Sequence, residues 1–455
     1  MDNHFIKIEP INEGEDDNGE FWIMPVPMLK GGEPKEMKVY KKPYRHIVNT
    51  SSPTPRGWYK DKTVPETQRP RPCYTEALLT TPYGGYCNVG CKFCYVDHGT
   101  RGYRATGLAS VNPNYPEDLY RMMKNVNVSG AAYISSFTEP FQGLEDKYTI
   151  TKRVSQYMND MGLPIFYLSR KIIPEWAIDQ LLYNPYSYMQ YSINTSKTDL
   201  YKRLSPGSFS IEQVLKQIEY IHDQGIYVSI QCNPILPGIV TIDDLRELIR
   251  LLSEAGADHI IFKFVEQVYS HRKLLLERLG GIHGVDVLDK MLTQKIGGVY
   301  TIAENIRIEW LNELLRTTRN YEMTMSTCYE YYDNMAGGEN LAPWFTTSDQ
   351  CHGLGVPVHY RPEPGERFKP LAGCYRKGCL YCKEHGTHAC NNETLMEARA
   401  LEYKDLKNII ITNPNSCGWD MEDSCISPAK IADGLTSYNE TYMTDAELWK
   451  WVEYE

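Results

Sequence analysis

EALLTTPYGGYCNVGCKFCYVDHG, residues 76–99, couples a short apolar run to a loop in which three cysteines, Cys87, Cys91 and Cys94, fall within eight residues. EALLTTP reads as a strand, and Pro82 with the Gly84-Gly85 pair ends it before the cysteines begin. A Cys-x3-Cys-x2-Cys loop can give one thiolate to each of three irons of a 4Fe-4S cube, leaving the fourth iron open to a small molecule. Clusters kept for structure or electron transfer usually take four cysteines, and the nearest other one here is Cys73, fourteen residues before Cys87. The competing readings are a zinc knuckle or three unrelated thiols. Zinc favours Cys-x2-Cys pairs matched by a second pair.

Downstream of this loop the chain alternates strands and helices. The runs at 131–137, 164–170, 188–194, 226–232 and 259–265 read as strands, and with residues 76–82 they make six. Ser210 can cap a helix that carries Ile211, Val214, Leu215, Ile218 and Ile221 on one face and ends at Gly225. Thr241 and Asp244 form a capping-box-like pair before Leu245, Leu248, Ile249 and Leu252, with Gly256 closing that helix. The pattern predicts an α/β fold, a parallel sheet curled into a partial (β/α)6 barrel, whose active site lies at the C-terminal ends of the strands.

With 455 residues the chain is long enough for two or three domains, and 42% hydrophobic residues support a sizeable core. Thirteen cysteines, bunched rather than spread, suggest metal ligation more than a disulfide framework. The start MDNHFIKIEP has no apolar signal region and no run of about 18 apolar residues occurs, so a cytoplasmic protein with no membrane partner is expected. The net charge of -10 argues mildly against wholesale nucleic-acid binding. Yet residues 29–72 carry eleven Lys or Arg against four acids, with Tyr40, Tyr44, Trp58 and Tyr59 between them. Such an arm either follows a nucleic-acid strand through phosphate contacts and stacking or wraps the core as a solvated extension. The acidic first twenty residues read as disordered.

The cysteine spacing, with Phe93 before and Tyr95 after the third cysteine, resembles the signature of the radical S-adenosylmethionine (SAM) superfamily. That resemblance implies a 4Fe-4S cluster whose open iron is chelated by SAM, a 5′-deoxyadenosyl radical made when one electron cleaves it, and a reducing donor such as flavodoxin or ferredoxin. The cofactor carries the hard chemistry while the protein positions it. Within the superfamily, residues 76–265 resemble the spore photoproduct lyase branch through Cys94-Tyr95, SSFTEPFQG (135–143), SRK (169–171) and QYSINTS (190–196). The branch contacts SAM after these strands, which makes Thr138, Arg170, Lys171 and Ser192 the candidate SAM neighbours. A basic side chain suits the methionine carboxylate, and a hydroxyl suits the ribose or amine.

One departure changes the expected chemistry. The lyases that repair thymine dimers carry a hydrogen-donating cysteine near the end of the second strand, where this chain has Phe137. Without that thiol a rearrangement that returns the hydrogen from 5′-deoxyadenosine and regenerates SAM is favoured over repair. Cys232 on the fifth strand shares a face with Val228 and Ile230 and reads as an ordinary core thiol.

A second group, Cys374, Cys379, Cys382 and Cys390 with His385 and His388 beside it, suits either an auxiliary 4Fe-4S cluster or a zinc site. The resemblance to other radical enzymes with C-terminal clusters favours iron. The expected organisation is an N-terminal arm over 1–72, the SAM-binding sheet over 73–270, a helical extension over 271–350 and a Cys-rich domain over 351–455. The favoured function is isomerisation of a modified thymine-type base in DNA, a setting met in bacteriophage DNA hypermodification, so the compartment is the host cytoplasm if the gene is a phage's. The alternatives are a peptide-modifying radical enzyme and a repair lyase. A metal-stapled binding module fits the β/α alternation poorly.

Overall fold

All six apolar runs become strands of one sheet. β1 (Ala77–Thr80), β2 (Ala131–Ile134), β3 (Ile165–Ser169), β4 (Tyr188–Ser192), β5 (Tyr227–Ile235), β6 (His259–Phe264) and β7 (Thr324–Thr327) lie in chain order, every neighbouring pair parallel. Arg56–Gly57 adds antiparallel to β1 at the first edge. The sheet is therefore one parallel strand longer than expected, and β7 lies in the stretch read as a helical extension. This computed structural model describes residues 9–26, 33–41, 45–48, 56–57, 77–94, 96, 108–124, 128–135, 137–296, 299–328, 330, 345–348, 351–357, 359–361 and 365–370. Tyr95, Lys42, Arg69, Arg71 and the group Cys374, Cys379, Cys382 and Cys390 lie outside them.

Helices α1 (Tyr115–Met123), α2 (Ile150–Met161), α3 (Glu175–Leu182), α4 (Thr198–Leu204), α5 (Ile211–Asp223), α6 (Ile242–Glu254) and α7 (Glu304–Asn320) share one core with alternate strand residues. Ser210 and Gln213 form a reciprocal capping box on α5. Thr241 accepts the Asp244 N–H at 3.1 Å, but the Asp244 carboxylate turns to Thr195 Oγ1 at 2.6 Å and the Ser196 N–H at 2.9 Å. That helix thus has half a capping box, and its other half ties down the loop after β4.

Period-two alternation gives the sheet two unlike faces. Toward the helices it sends Ile165 and Tyr167, Met189 and Tyr191, Val228, Ile230 and Cys232, then Ile260, Phe262 and Phe264, all fully buried. Each large side chain so buried contributes roughly 1.5–3 kcal/mol. The inner face starts with an in-register row, Tyr133, Phe166, Tyr188 and Tyr227. The first three rings stack at 4.4 and 4.5 Å, and Tyr227 meets Tyr188 edge-on at 6.3 Å. His352 closes over this row, edge-on to Phe166 at 5.2 Å and hydrogen-bonded through Nδ1 to the Tyr188 hydroxyl at 2.7 Å. Beside it the Cys351 carbonyl accepts from the Ser326 hydroxyl at 2.6 Å, and Gly353 lies so close that a Cβ would stand 2.3 Å from the Tyr227 hydroxyl. Its φ of +90° also favours glycine. Residues 351–354 form the floor of the inner face.

The acidic start is ordered from residue 12, contrary to expectation. Asn12–Asp16 and Gly19–Val26 form a hairpin, Lys35–Tyr40 and His46–Val48 extend it, and Ala109–Val111 joins it to Tyr83–Gly85 just before the cysteine loop. Gly19 at φ +108° supplies the turn. The acidic and basic blocks, separate in sequence, meet across these strands: Lys38 pairs with Asp16 at 2.7 Å and Lys41 with Glu13 at 3.2 Å. Lys41 and Arg45 lie over the Trp22 ring. Among the described residues, no helix is long and apolar enough to cross a membrane.

Candidate active site at the C-terminal ends of the strands

The cysteine loop is held from several sides before any ligand enters. Tyr83, on the strand that leads into it, donates its hydroxyl to Glu145 at 2.5 Å, and Glu145 also accepts the Thr151 and Lys152 N–H groups that open α2. The Tyr83 carbonyl accepts from Thr138 Oγ1 at 2.5 Å. From the other side the turn after α4 clasps the loop: Lys92 N–H reaches Leu204 O at 2.9 Å and Gly207 N–H reaches Val89 O at 2.8 Å. A Cβ at Gly207 would lie 2.3 Å from the Asn88 carbonyl, so only glycine fits.

The donors aimed at sulfur suit thiolate ligands. Glu139 N–H donates to Cys87 Sγ at 3.3 Å, and Ser205 Oγ donates to Cys91 Sγ at 3.2 Å; hydrogen bonds to sulfur are one way a protein tunes an iron-sulfur cluster. Burial, with the charges of Cys91 and Glu139 next to it, pushes the Cys87 thiol up to about 12, a shift that a bound cation would oppose. Among the described residues, no three His, Cys, Asp or Glu side chains converge on a single-ion position. Cys87 and Cys91 are held by different donors, one from the stretch after β2 and one from the turn after α4. Cys87, Cys91 and Cys94 would hold the cluster.

Arg170 is the pivot between this loop and the strand ends. Its guanidinium donates to the Ser192 carbonyl at 3.0 Å and the Asn233 carbonyl at 3.1 Å, and lies 5.0 Å from the centre of the Phe93 ring. Burial works against its charge, but Cys91, Tyr201 and Cys94 outweigh that and raise its pKa. Of the other sequence candidates, Thr138 commits its proton to Tyr83. Lys171 is half-buried and forms no ion pair among the described residues. Ser192 is 6% exposed on the inner face, its carbonyl taken by Arg170 and Tyr201. The structure thus brings Thr138, Arg170, Lys171 and Ser192 to one rim with the cysteine loop.

Sequence reasoning missed four residues here. Glu139 is buried, and burial raises its pKa against the bonds it accepts from Ser169 and the Arg170 and Phe141 N–H groups. It stood inside the quoted run SSFTEPFQG. Ser205 and Gly207 belong to LSPGS, a turn signal with no chemistry of its own. Asn194 is fully buried, with Oδ1 unpartnered at the top of β4. Cys232, as read from strand parity, is fully buried against the helices.

The sequence matches the family model of the radical SAM superfamily over residues 81–262. It is 40% identical over 429 residues to the Radical SAM Nalpha-GlyT isomerase of Pseudomonas phage M6, covering 89% of each chain. An uncharacterized protein of Methanocaldococcus jannaschii is 23% identical over 163 residues, 34% of this chain and 60% of that one. Among solved structures, spore photoproduct lyase complexed with dinucleoside spore photoproduct aligns with a TM-score of 0.46 at 14% identity over 62% of this chain and 81% of the lyase. Streptococcus suis SuiB aligns at 0.36 and 15% over 55% and 48%. This chain belongs to the radical SAM superfamily.

Proposed function

We propose that this radical SAM enzyme isomerises a thymine-type unit that carries glycine through its α-nitrogen, on DNA or as a modified nucleobase. The observation that carries this reading is the 40% identity to the phage isomerase over 89% of both chains. When bound, the cluster and SAM supply the radical that removes a hydrogen atom. An isomerisation conserves atoms, so the rearranged substrate must regain a hydrogen, and its return from 5′-deoxyadenosine would regenerate SAM. Two residues support the return path: Phe137, three residues past β2, stands where the lyases have their donor cysteine, and Cys232 points into the helix-side core. Neither offers a thiol to quench a product radical.

Within this proposal, Lys171 and Ser192 face the cofactor's polar groups, and Arg170 and Thr138 set the rim they stand on. Cys374, Cys379, Cys382 and Cys390 share a second metal centre, an auxiliary cluster rather than zinc. Their spacing supports a shared centre of either kind and the resemblance to other radical enzymes with C-terminal clusters favours iron, and metal analysis of the Cys87, Cys91, Cys94 triple-Ala variant distinguishes about four irons from one zinc. The partners are a flavodoxin- or ferredoxin-type reductant and the substrate, met in a host cytoplasm.

The test is anaerobic incubation of reconstituted enzyme with SAM, dithionite and an Nα-glycyl thymine nucleoside or DNA carrying it. The expected product has unchanged mass and altered retention, deuterium from the abstraction site appears in recovered SAM, and turnover exceeds 5′-deoxyadenosine released. One 5′-deoxyadenosine per product overturns the isomerase reading.

A further inference from the structure

Across the inner face from the cysteine loop, β6 ends in a buried ionic group. Lys263 follows His259 and Ile261 at inner-face register, while its neighbours Phe262 and Phe264 pack against the helices. The lysine is 4% exposed, and its ammonium is paired with the Glu266 carboxylate and lies 3.6 Å from Glu330 Oε1. Glu330 is fixed from behind: its carboxylate accepts the Phe264 N–H at 2.8 Å and Arg307 Nη1 at 2.7 Å. Arg307, 1% exposed, also donates to the Ile302 carbonyl at 3.0 Å and to Gln294 Oε1 at 3.3 Å.

Among the described residues the group holds two cations and two carboxylates. Desolvating four charges costs several kcal/mol per ion before pairing offsets it, and apolar residues of like volume stabilise a fold as well or better. A merely structural role therefore explains the arrangement poorly. The quartet has a fixed half, Arg307 and Glu330, and a more open half, since the Glu266 side chain is 24% exposed. Lys263 stands opposite the irregular stretch of β5 between Cys232 and Ile235, which contains Asn233, whose carbonyl holds Arg170. The Arg170 guanidinium therefore reaches β5, and Lys263 stands on the next strand, so a substrate group at Lys263 would lie beside a cofactor held near Arg170.

We infer that Lys263 and Glu266 bind the amino-acid end of the substrate, Lys263 taking its carboxylate and Glu266 its ammonium. The inference rests on the reading that the substrate carries glycine. Glycine attached through nitrogen keeps a free carboxylate and a basic amine, so it is a zwitterion, and a zwitterion exchanges partners with a Lys–Glu pair without adding net charge to a buried site. Glu330 and Arg307 are positioning residues that act through Lys263.

The test is calorimetric binding to the full, reconstituted chain without reductant, so that no turnover is read. Three probes are compared: the Nα-glycyl thymine nucleoside, its methyl ester and the unmodified thymine nucleoside. Wild type should bind the acid about tenfold or more tightly than the ester, the scale of a charge-assisted hydrogen bond. Lys263→Met should erase that ratio, Lys263→Arg should restore part of it, and both should keep wild-type SAM affinity at the Arg170 side. Glu266→Gln, at a partly exposed position, should weaken both glycyl probes alike and leave the unmodified nucleoside unchanged. Equal binding of acid and ester by wild type, or a Lys263→Met protein that keeps the ratio, overturns the assignment while the proposed function stands. If the glycyl probes bind no better than the unmodified nucleoside, the glycine reading itself falls, and this inference with it. A Lys263→Met chain that fails to fold leaves the wild-type ester comparison and Glu266→Gln to decide.

Discussion

The two faces of the parallel sheet are made from the same strands and share almost no chemistry. On β5, Val228, Ile230 and Cys232 meet the helices, while Ser229, Gln231 and Asn233 turn the other way. On β6, Ile260, Phe262 and Phe264 alternate with His259, Ile261 and Lys263. Parallel strands covered on both sides usually read as continuous apolar runs. Amides, hydroxyls, a histidine and a lysine set this face apart from the apolar helix side. One face packs the helices and the other, beyond its aromatic floor, carries the polar groups, so residues adjacent in sequence should fail in different ways.

The sharpest break is at the inner-face rim. Changing Cys87, Cys91 or Cys94 to Ala is expected to abolish 5′-deoxyadenosine formation while thermal unfolding stays cooperative, read by chromatography and melting of the same samples. Residual SAM cleavage would undo the assignment of the loop. Next comes a pair on one strand. Ile230→Ala removes a fully buried side chain and should lower stability by about 2–5 kcal/mol, whereas Gln231→Ala should cost under about 1 kcal/mol yet reduce turnover. Denaturant titration with parallel assays measures both, and similar stability losses would erase the distinction between faces.

The floor gives a pH signature. Burial lowers His259 to about 3 and His352 to about 4. Both values lie below the ordinary histidine value near 6.5, so the stabilisation they provide is complete above that pH and is lost as pH falls toward 4 and 3. Melting temperature should drop over that window, and His352→Gln should flatten the drop. An unchanged slope would mean that the ring is not held neutral. The smallest effect belongs to the arm. Lys41 is tied to Glu13, and it shares the Trp22 ring with Arg45, so changing both to Gln should alter the salt slope of DNA binding by less than one. A fall of about two would place both on phosphates.

How much of this was legible depends on whether the signal was local. Strands β1 to β6 and the caps at Ser210 and Thr241 carry their patterns within a dozen residues, and each formed. The cysteine loop was legible for the same reason. β7 was missed because Thr324–Thr327 is four residues with little apolar character, made a strand by its pairing with β6. The hairpin at 12–26 was missed because net charge outweighed the Asn18-Gly19 turn signal, and its compensating lysines lie twenty or more residues away. Lys263 read as one polar residue in an apolar run. Its partner Glu330, and the Arg307 that fixes Glu330, come from segments more than forty residues on, and no spacing rule joins them.

The floor at residues 351–354 also sets an order of events. Among the described residues, the parallel sheet and the helices packed on it end by Thr327, but His352, Leu354 and the Cys351 carbonyl that meets Ser326 and His259 leave the ribosome about 25 residues later. Domains form largely from the N-terminus during synthesis, so the nascent sheet stands with its aromatic row open until that short segment arrives. Closing the inner face is then a late step of biogenesis, in which a glycine must slip between Tyr227 and His259. A bulkier residue at 353 would halt the chain with its working face still wet.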